Sequence, residues 1–506
     1  MSLCTALAEA QDDILEAVAN NAAINTLLFS LTTSGSGGAD GVDNLRSDTL
    51  ACLMVLSEDN AKLAARITAP KHNDVYQALQ ALKGEVSADG ILACAILFNL
   101  STALQDDEGS STSLEIADVS VLIPTLSKAI AGITPGSQTS QQDSWSNPAQ
   151  YQQLALELLA SIGTSLNESD ESEPQGKSKP NGHAVTEDED MGEADEDVND
   201  GDDEEAEKDA GESDDDEMDE DEMQADMDMV TGADDDDAGR QNIDDLPILK
   251  GLLQQALPEV IRVASLQASD EDSMRFQNLA LSALNNISWS ISIVDLNDED
   301  NSGIQRAWVP VATSIWKNVI TPILSSDTAD VRLAAQVTGL AWAVSRTLRS
   351  ETPLKPDEHR KFISLYQATR GTQATEADED DPFQGLGVKC IGVLSQLALN
   401  PAPVALNREI GTFLITVLAS LPETPVADAV EALNQIFDMY GDEEAACDKE
   451  VFWKDNFLKH LEDMLPKARN MVKAVDKRSH AELRTRADEA LLNLNRFLAY
   501  KRKHKS

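Results

Sequence analysis

The chain has 506 residues, 42% of them apolar but only 4% aromatic, and a formal net charge of -51 at pH 7. That sign argues against direct binding to nucleic acid or to an anionic membrane and makes basic proteins the natural partners. Ala and Leu abound while β-branched runs flanked by turn residues are few, so the composition predicts an all-α protein.

Residues 2–31 predict two helices, with Leu3, Leu7, Ile14, Leu15 and Val18 on one stripe and Ile24, Leu27, Leu28 and Leu31 on the next. No polar cap is evident ahead of them. A stacked helical array normally ends in a repeat with a solvent-compatible outer face, so this one is expected to lack its natural start. Thr33 to Gly41 is a Gly-Ser linker without the strand or third glycine of a dinucleotide fingerprint. Helices are expected near 44–57, 73–83, 88–104, 117–132 and 148–165. The longest largely apolar run, Ile91 to Leu100, is about half of the roughly 20 residues a bilayer span requires. No signal-peptide pattern precedes the first helix, so a soluble, unsecreted chain is expected. The five cysteines (Cys4, Cys52, Cys94, Cys390, Cys447) are scattered, mostly within apolar helical patterns, as reduced core thiols are.

The stretch Glu187 to Asp237 holds about 30 acidic side chains against one lysine, Lys208, and so carries roughly 29 of the 51 net negative charges. Neighbouring like charges repel, and too few apolar side chains are present to offset ordering entropy. A long disordered acidic loop is expected over 167–243, solvated until a basic protein neutralises it. Within it Met223, Met227 and Val230 fall at i, i+4 and i+7, with Glu220, Asp221, Glu222, Asp226, Asp228 and Met229 around them. This reads either as a recognition helix near 219–231, offering an adaptable methionine face to a basic guest, or as a random scatter of methionine. Gly176-Lys177-Ser178 mimics the end of a phosphate loop, but Glu171 stands where its first glycine belongs.

Helices resume near Asp244 and continue to about Tyr500, interrupted by acidic connections at Glu376 to Asp381 and Asp442 to Glu444. Ile123-Pro124, Leu257-Pro258, Thr321-Pro322 and Leu465-Pro466 each sit in an apolar helix followed by an alanine-rich one, at 151–163, 273–292, 329–346 and 482–498. Such pairs predict helix hairpins stacked into an armadillo/HEAT α-solenoid. Asp330-Val331-Arg332 followed by Ala334-Ala335 resembles a HEAT signature, while Leu97 to Ser101 and Ala283 to Ser288 look like the third helix of armadillo repeats. In that position Asn99, Asn286 and Asn493, with Trp289 one turn beyond Asn286, would either line a groove for an extended peptide or bridge adjacent repeats. Trp308, Trp316 and Trp342 are assigned to the core. The last segment, 501–506, is a basic tail that complements the helix dipole or serves as a nuclear localisation signal.

No His-Glu-x-x-His or Gly-x-Ser-x-Gly occurs, the six histidines are dispersed, and the acidic run lacks the ligand alternation of a calcium loop, so no enzyme, metal or cofactor is expected.

Together these features resemble the symportin family of armadillo/HEAT adaptors. The likeness is carried by Ser161 to Thr164, Met227 to Gly232, Ala283 to Trp289, His359 to Tyr366, Asp381 to Gly392 and Asp448 to Lys459. It implies a superhelix, armadillo-like over 1–166 and HEAT-like over 244–500, that acts as a monomeric, non-enzymatic chaperone and nuclear import adaptor shuttling between cytoplasm and nucleus. Its groove would take an N-terminal peptide of the large-subunit L-five protein, while the acidic loop and HEAT half would hold the L-eleven protein and cover a surface that later meets 5S rRNA. Family members begin with a basic segment for an import karyopherin and further armadillo repeats, neither of which is seen here. The rival expectation is a generic acidic histone chaperone or scaffold.

Overall fold

The computed structural model describes residues 12–33, 45–105, 118–134, 145, 147–166, 243–266, 270–326, 330–369 and 381–504. The acidic stretch, its methionine segment, Thr33 to Gly41 beyond Thr33 itself, and Glu376 to Ala377 with most of that connection lie outside them. No strand occurs among the described residues. Before the acidic stretch come α1 (Asp12–Ala19), α2 (Ala22–Thr33), α3 (Leu45–Ser57), α4 (Ala61–Thr68), α5 (Asn73–Leu82), α6 (Ala88–Gln105), α7 (Ile123–Ala131) and α8 (Pro148–Ser165). After it come α9 (Pro247–Gly251), α10 (Leu257–Ala264), α11 (Glu271–Ile293), α12 (Ser302–Ile315), α13 (Thr321–Ser325), α14 (Val331–Leu348) and α15 (His359–Thr369). The series ends with α16 (Leu386–Ala398), α17 (Val404–Ala419), α18 (Val426–Tyr440), α19 (Phe457–Ala474) and α20 (Ala481–Lys503).

These helices form an α-solenoid of two layers. Helices α3, α6, α8, α11, α14, α16, α18 and α20 pack one on the next as the rungs of a ladder, and the remaining helices cover one side of it. Small side chains on the rungs, such as Ala93 and Ala95 on α6, Ala341 and Ala343 on α14 and Gly392 on α16, let backbones approach on several faces at once. Helix α6 shows the extreme: Ile91, Leu92, Ala93, Cys94, Ala95 and Ile96 are all buried, so no face is left polar. By length and composition α6 could cross a bilayer, but 78% of it is buried inside the array. Cys52, Cys94, Cys390 and Cys447 are buried thiols, and burial pushes the Cys94 thiol up to about 12.

The aligned prolines have a structural consequence. Proline lacks the N–H for the carbonyl four residues back and its ring crowds that carbonyl. For Pro258 and Pro322 these carbonyls lie in the π-helical segments Leu252–Ala256 and Trp316–Ile320, whose wider turn relieves the clash. The Asn318 carbonyl so exposed finds a new donor in Ser265 Oγ at 3.1 Å, and next to the Gln254 carbonyl Ser127 Oγ donates to Gln255 O at 2.7 Å. Asp330 caps α14 by accepting from the N–H groups of Arg332 and Leu333, which accounts for the HEAT-like motif there.

The helices flanking the acidic stretch belong to one compact unit. Rung α8 packs directly on rung α11, where Gly163 lies so close to Ile287 that an added Cβ would stand 2.5 Å from Ile287 Cγ1. Ser290 Oγ donates to Gly163 O at 2.7 Å, and the Arg262 guanidinium donates to Ile130 O at 2.9 Å and Ile133 O at 3.0 Å. The acidic stretch is therefore an insertion between two rungs that are already neighbours.

Several expectations need correction. Leu27 is 50% exposed and Leu31 half-buried, while Asn25, Leu28, Phe29 and Thr32 are the buried face of α2. That helix does have a polar cap, since Asn21 Oδ1 accepts from Ala23 N at 3.0 Å and Ile24 N at 3.2 Å. Helix α4 was not expected; Asn60 starts it by accepting from Leu63 N, and its charges Lys62 and Arg66 hide a short apolar face of Leu63, Ala64 and Ile67. At the other end Lys501 is no part of a solvated tail. It is fully buried at the end of α20, 2.6 Å from Asp448 Oδ1, with its ammonium 5.2 Å from the Phe452 ring.

Candidate functional site

The ladder changes character along its length. On α6 the Asn99 amide donates to Met54 O at 3.1 Å and Ser57 Oγ at 3.2 Å, both on α3. On α11 the Asn286 amide donates to Ala160 O at 3.2 Å and Thr164 Oγ1 at 3.1 Å, both on α8. These two asparagines bridge consecutive rungs through the same arrangement, an amide answering one carbonyl and one hydroxyl of the preceding helix. Asn285 does the same forwards, donating to Gln336 O of α14 at 3.1 Å.

Beyond α14 the rungs stay packed on one another, but open space appears beside them. A cavity of about 510 Å³ opens between the end of α11 and helices α14, α16 and α18, and two more of about 300 and 430 Å³ continue it between α18 and α20. Asn434 borders all three and Asn493 borders the last two, so they form one groove along α18. The sequence of α18 dictates this. Val430, Leu433, Ile436 and Tyr440 fix the buried face, which leaves Glu431, Asn434, Gln435 and Asp438, at i, i+3, i+4 and i+7, as a polar stripe beside it.

Aromatic rings floor the upstream end. Trp289 meets Trp342 edge to face at 5.2 Å, and the Arg346 guanidinium lies 5.6 Å from the Trp289 ring. Trp308 and Trp316 are core residues, as expected, but Trp342 is only half-buried and lines the cavity. Its ring rests on Gly392 of α16, where a Cβ would come within 2.2 Å of it. The indole Nε1 of Trp342 and the Oε1 of Gln435 are buried without a hydrogen-bond partner among the described residues. Gln435 uses its other end to donate to Glu431 Oε1 at 2.8 Å. Burial raises the Glu431 carboxyl above the usual carboxylate range, with Asp438 adding to the shift, and loss of water raises Asp438 too. A larger cavity of about 670 Å³, walled by Pro258, Pro310 and Pro322 in the covering layer, has no such unpartnered buried atom.

A family model described as "SYO1-like, TPR repeats" matches residues 253–505. The chain is 46% identical over 516 residues to Symportin 1 of Chaetomium thermophilum, covering 98% of this chain and 75% of that protein. The chain belongs to the symportin family. It is also 29% identical to the "Armadillo repeat protein involved in nucleocytoplasmic transport Syo2" of Schizosaccharomyces pombe, over 50% of this chain and 38% of that one. With Synchronized import protein 1 of Saccharomyces cerevisiae it shares 28% identity, over 45% of this chain and 35% of that protein. In this symportin family member Asn99 and Asn286 bridge rungs, Asn493 borders the groove, Trp289 packs behind it on Trp342 and Arg346, and Glu220, Asp221, Glu222, Met223, Asp226, Met227, Asp228, Met229 and Val230 lie outside the described residues. The groove residues that sequence reading missed are Trp342, Arg346, Glu431, Asn434, Gln435 and Asp438. The α18 stripe was there to be read, as Glu431, Asn434, Gln435 and Asp438 at helical spacing beside a continuous apolar face.

Proposed function

We propose that this chain is a non-enzymatic chaperone and nuclear import adaptor for newly made, basic ribosomal proteins of the large subunit, the 5S rRNA-binding L-five and L-eleven proteins, and that it shuttles with them between cytoplasm and nucleus. Membership of the symportin family carries this reading. Two features of the chain support it. A protein of net charge -51 places about 30 of its carboxylates in one insertion, where they can stand in for RNA phosphates against a cationic surface. The two rungs flanking that insertion are packed on each other, so charge is presented without breaking the scaffold. The groove along α18, bordered by Trp342 and Asn493, supplies a second contact for an extended segment of the guest.

Charge capture alone weakens as salt shortens the Debye length to about 8 Å at physiological ionic strength, so selectivity requires apolar contact, and Met223 and Met227 are the residues we assign to it. The test is retention of purified L-five and L-eleven proteins on the immobilised chain in physiological buffer, beside core histones of similar charge. Selective retention that is lost with Met223→Asp plus Met227→Asp supports the adaptor. Equal retention of histones replaces it with unspecific acidic capture.

A further inference from the structure

We propose that the cavity bounded by Trp342, Arg346, Gln396, Glu431, Gln435 and Asp438 is a subsite for one cationic side chain of an extended guest peptide. The inference deepens the adaptor reading and rests on it only for the guest being an extended basic segment.

The chemistry left unanswered in the cavity defines the ligand. Gln435 is 7% exposed, and its amide orientation is fixed because Nε2 faces a carboxylate oxygen of Glu431; its Oε1 is therefore an acceptor awaiting a donor. Trp342 Nε1 is the converse, a buried donor awaiting an acceptor. A peptide unit offers both, a carbonyl for the indole and an N–H for the glutamine. Around that point the cavity carries Asp295, Glu431 and Asp438 against Arg346 and Arg349. Arg346 is held over the Trp289 ring, and Arg486 approaches Glu431 from α20. Arg486 pairs with Glu482 and Arg346 lies over Trp289, and neither forms an ion pair with Glu431 or Asp438, so the resident cations do not satisfy them. A guest ammonium or guanidinium would, and the Trp342 ring lining the cavity suits its alkyl stem.

The test uses the full chain and fluorescent twelve-residue Gly-Ser-Asn peptides carrying arginine, lysine or citrulline at the sixth position, the last being a neutral isostere. Fluorescence anisotropy is read at 0.3 M salt to suppress capture by the acidic insertion. Arginine or lysine peptides are expected to bind about ten- to a hundredfold more tightly than citrulline, the range for losing a charge-assisted hydrogen bond. The difference disappears in Glu431→Gln plus Asp438→Asn, a variant that keeps the whole insertion and is checked by an unchanged far-ultraviolet spectrum and melting temperature no lower than the parent's. Trp342→Phe, which keeps the ring floor but removes the N–H, weakens all three peptides alike. Equal binding of citrulline and arginine peptides, or full discrimination by the carboxamide variant, overturns the subsite while leaving retention of ribosomal proteins to judge the adaptor. Discrimination in a chain that ignores ribosomal proteins sustains the subsite and overturns the adaptor instead.

Discussion

The contact between α8 and α11 and the opening between α14 and α18 are built from the same parts and end in opposite states. At the first, Gly163 lets the backbones meet, and the polar atoms of Asn286 and Ser290 close on the facing helix. At the second, Gly392 of α16 is covered by the Trp342 ring of α14, so the rungs still touch, but beside them a glutamine oxygen and an indole N–H have no partner among the described residues. A glycine on a ladder helix thus permits either closure or an aromatic wedge. Its outcome depends on whether the facing residue is aliphatic or an indole. The sealed contact holds the array together across an insertion of dense charge; the open one leaves a surface with unmet hydrogen-bonding capacity, as binding sites do.

Breaking a sealed contact at its most buried point gives the largest effect. Asp448 answers Lys501 at 2.6 Å with one oxygen and Trp453 Nε1 at 2.9 Å with the other, and neither charged side chain reaches solvent. Asp448→Ala strands the ammonium in an aromatic pocket and is expected to cost about 3–5 kcal/mol in chemical denaturation. Asp448→Ala combined with Lys501→Met removes both charges and recovers much of that loss. If the single and double variants unfold together, the pair is not what fastens α20.

Next in size is Gly163→Val, which forces methyl groups against Ile287 and is expected to destabilise by about 1–3 kcal/mol through overpacking. Hydrogen exchange should rise at both α8 and α11, since they share the seam. A smaller step separates the two kinds of asparagine. Asn286→Ala removes two inter-rung hydrogen bonds and should cost about 1 kcal/mol, whereas Asn434→Ala, in the groove, should change stability by less than about 0.5 kcal/mol. Equal losses would mean that the groove is sealed in solution.

The same contrast explains what could be read from the sequence. Stacked hairpins were legible because each Pro-bearing helix is followed by an alanine-rich one, and periodicity survives in both. Helix α4 escaped because eight residues carry too few apolar turns to register, and Asn21 escaped because its capping role depends on where α2 begins. Lys501 read as tail because a run of basic residues reports nothing of the aromatic rings that α18 to α20 bring around its stem. Asn99 and Asn286 were correctly singled out as special, but whether such an amide faces a groove or a neighbouring rung is decided by inter-helix distance, which local sequence does not encode. Trp342 was assigned inward for the same reason: its burial is set by Gly392, fifty residues on.

The smallest effect belongs to an ion pair that lies outside both contacts, on the covering layer. Arg360 of α15 holds Glu409 of α17 at 2.7 Å, with His359 Nε2 at 3.2 Å from the same carboxylate, and this donation lowers Glu409 to about 2. A carboxyl depressed in the folded state adds stability above its unfolded value near 4.5, and that contribution is lost as pH falls from there through about 2. Both side chains are substantially exposed, so screening keeps the contribution under about 1 kcal/mol. Arg360→Ala should therefore leave stability at pH 7 nearly unchanged, move the Glu409 titration followed by carbon-13 NMR upward, and flatten the fall in stability between pH 4.5 and 2. A loss at pH 7 as large as that of Asn286→Ala would show that the covering layer, and not the ladder, sets the stability of the array.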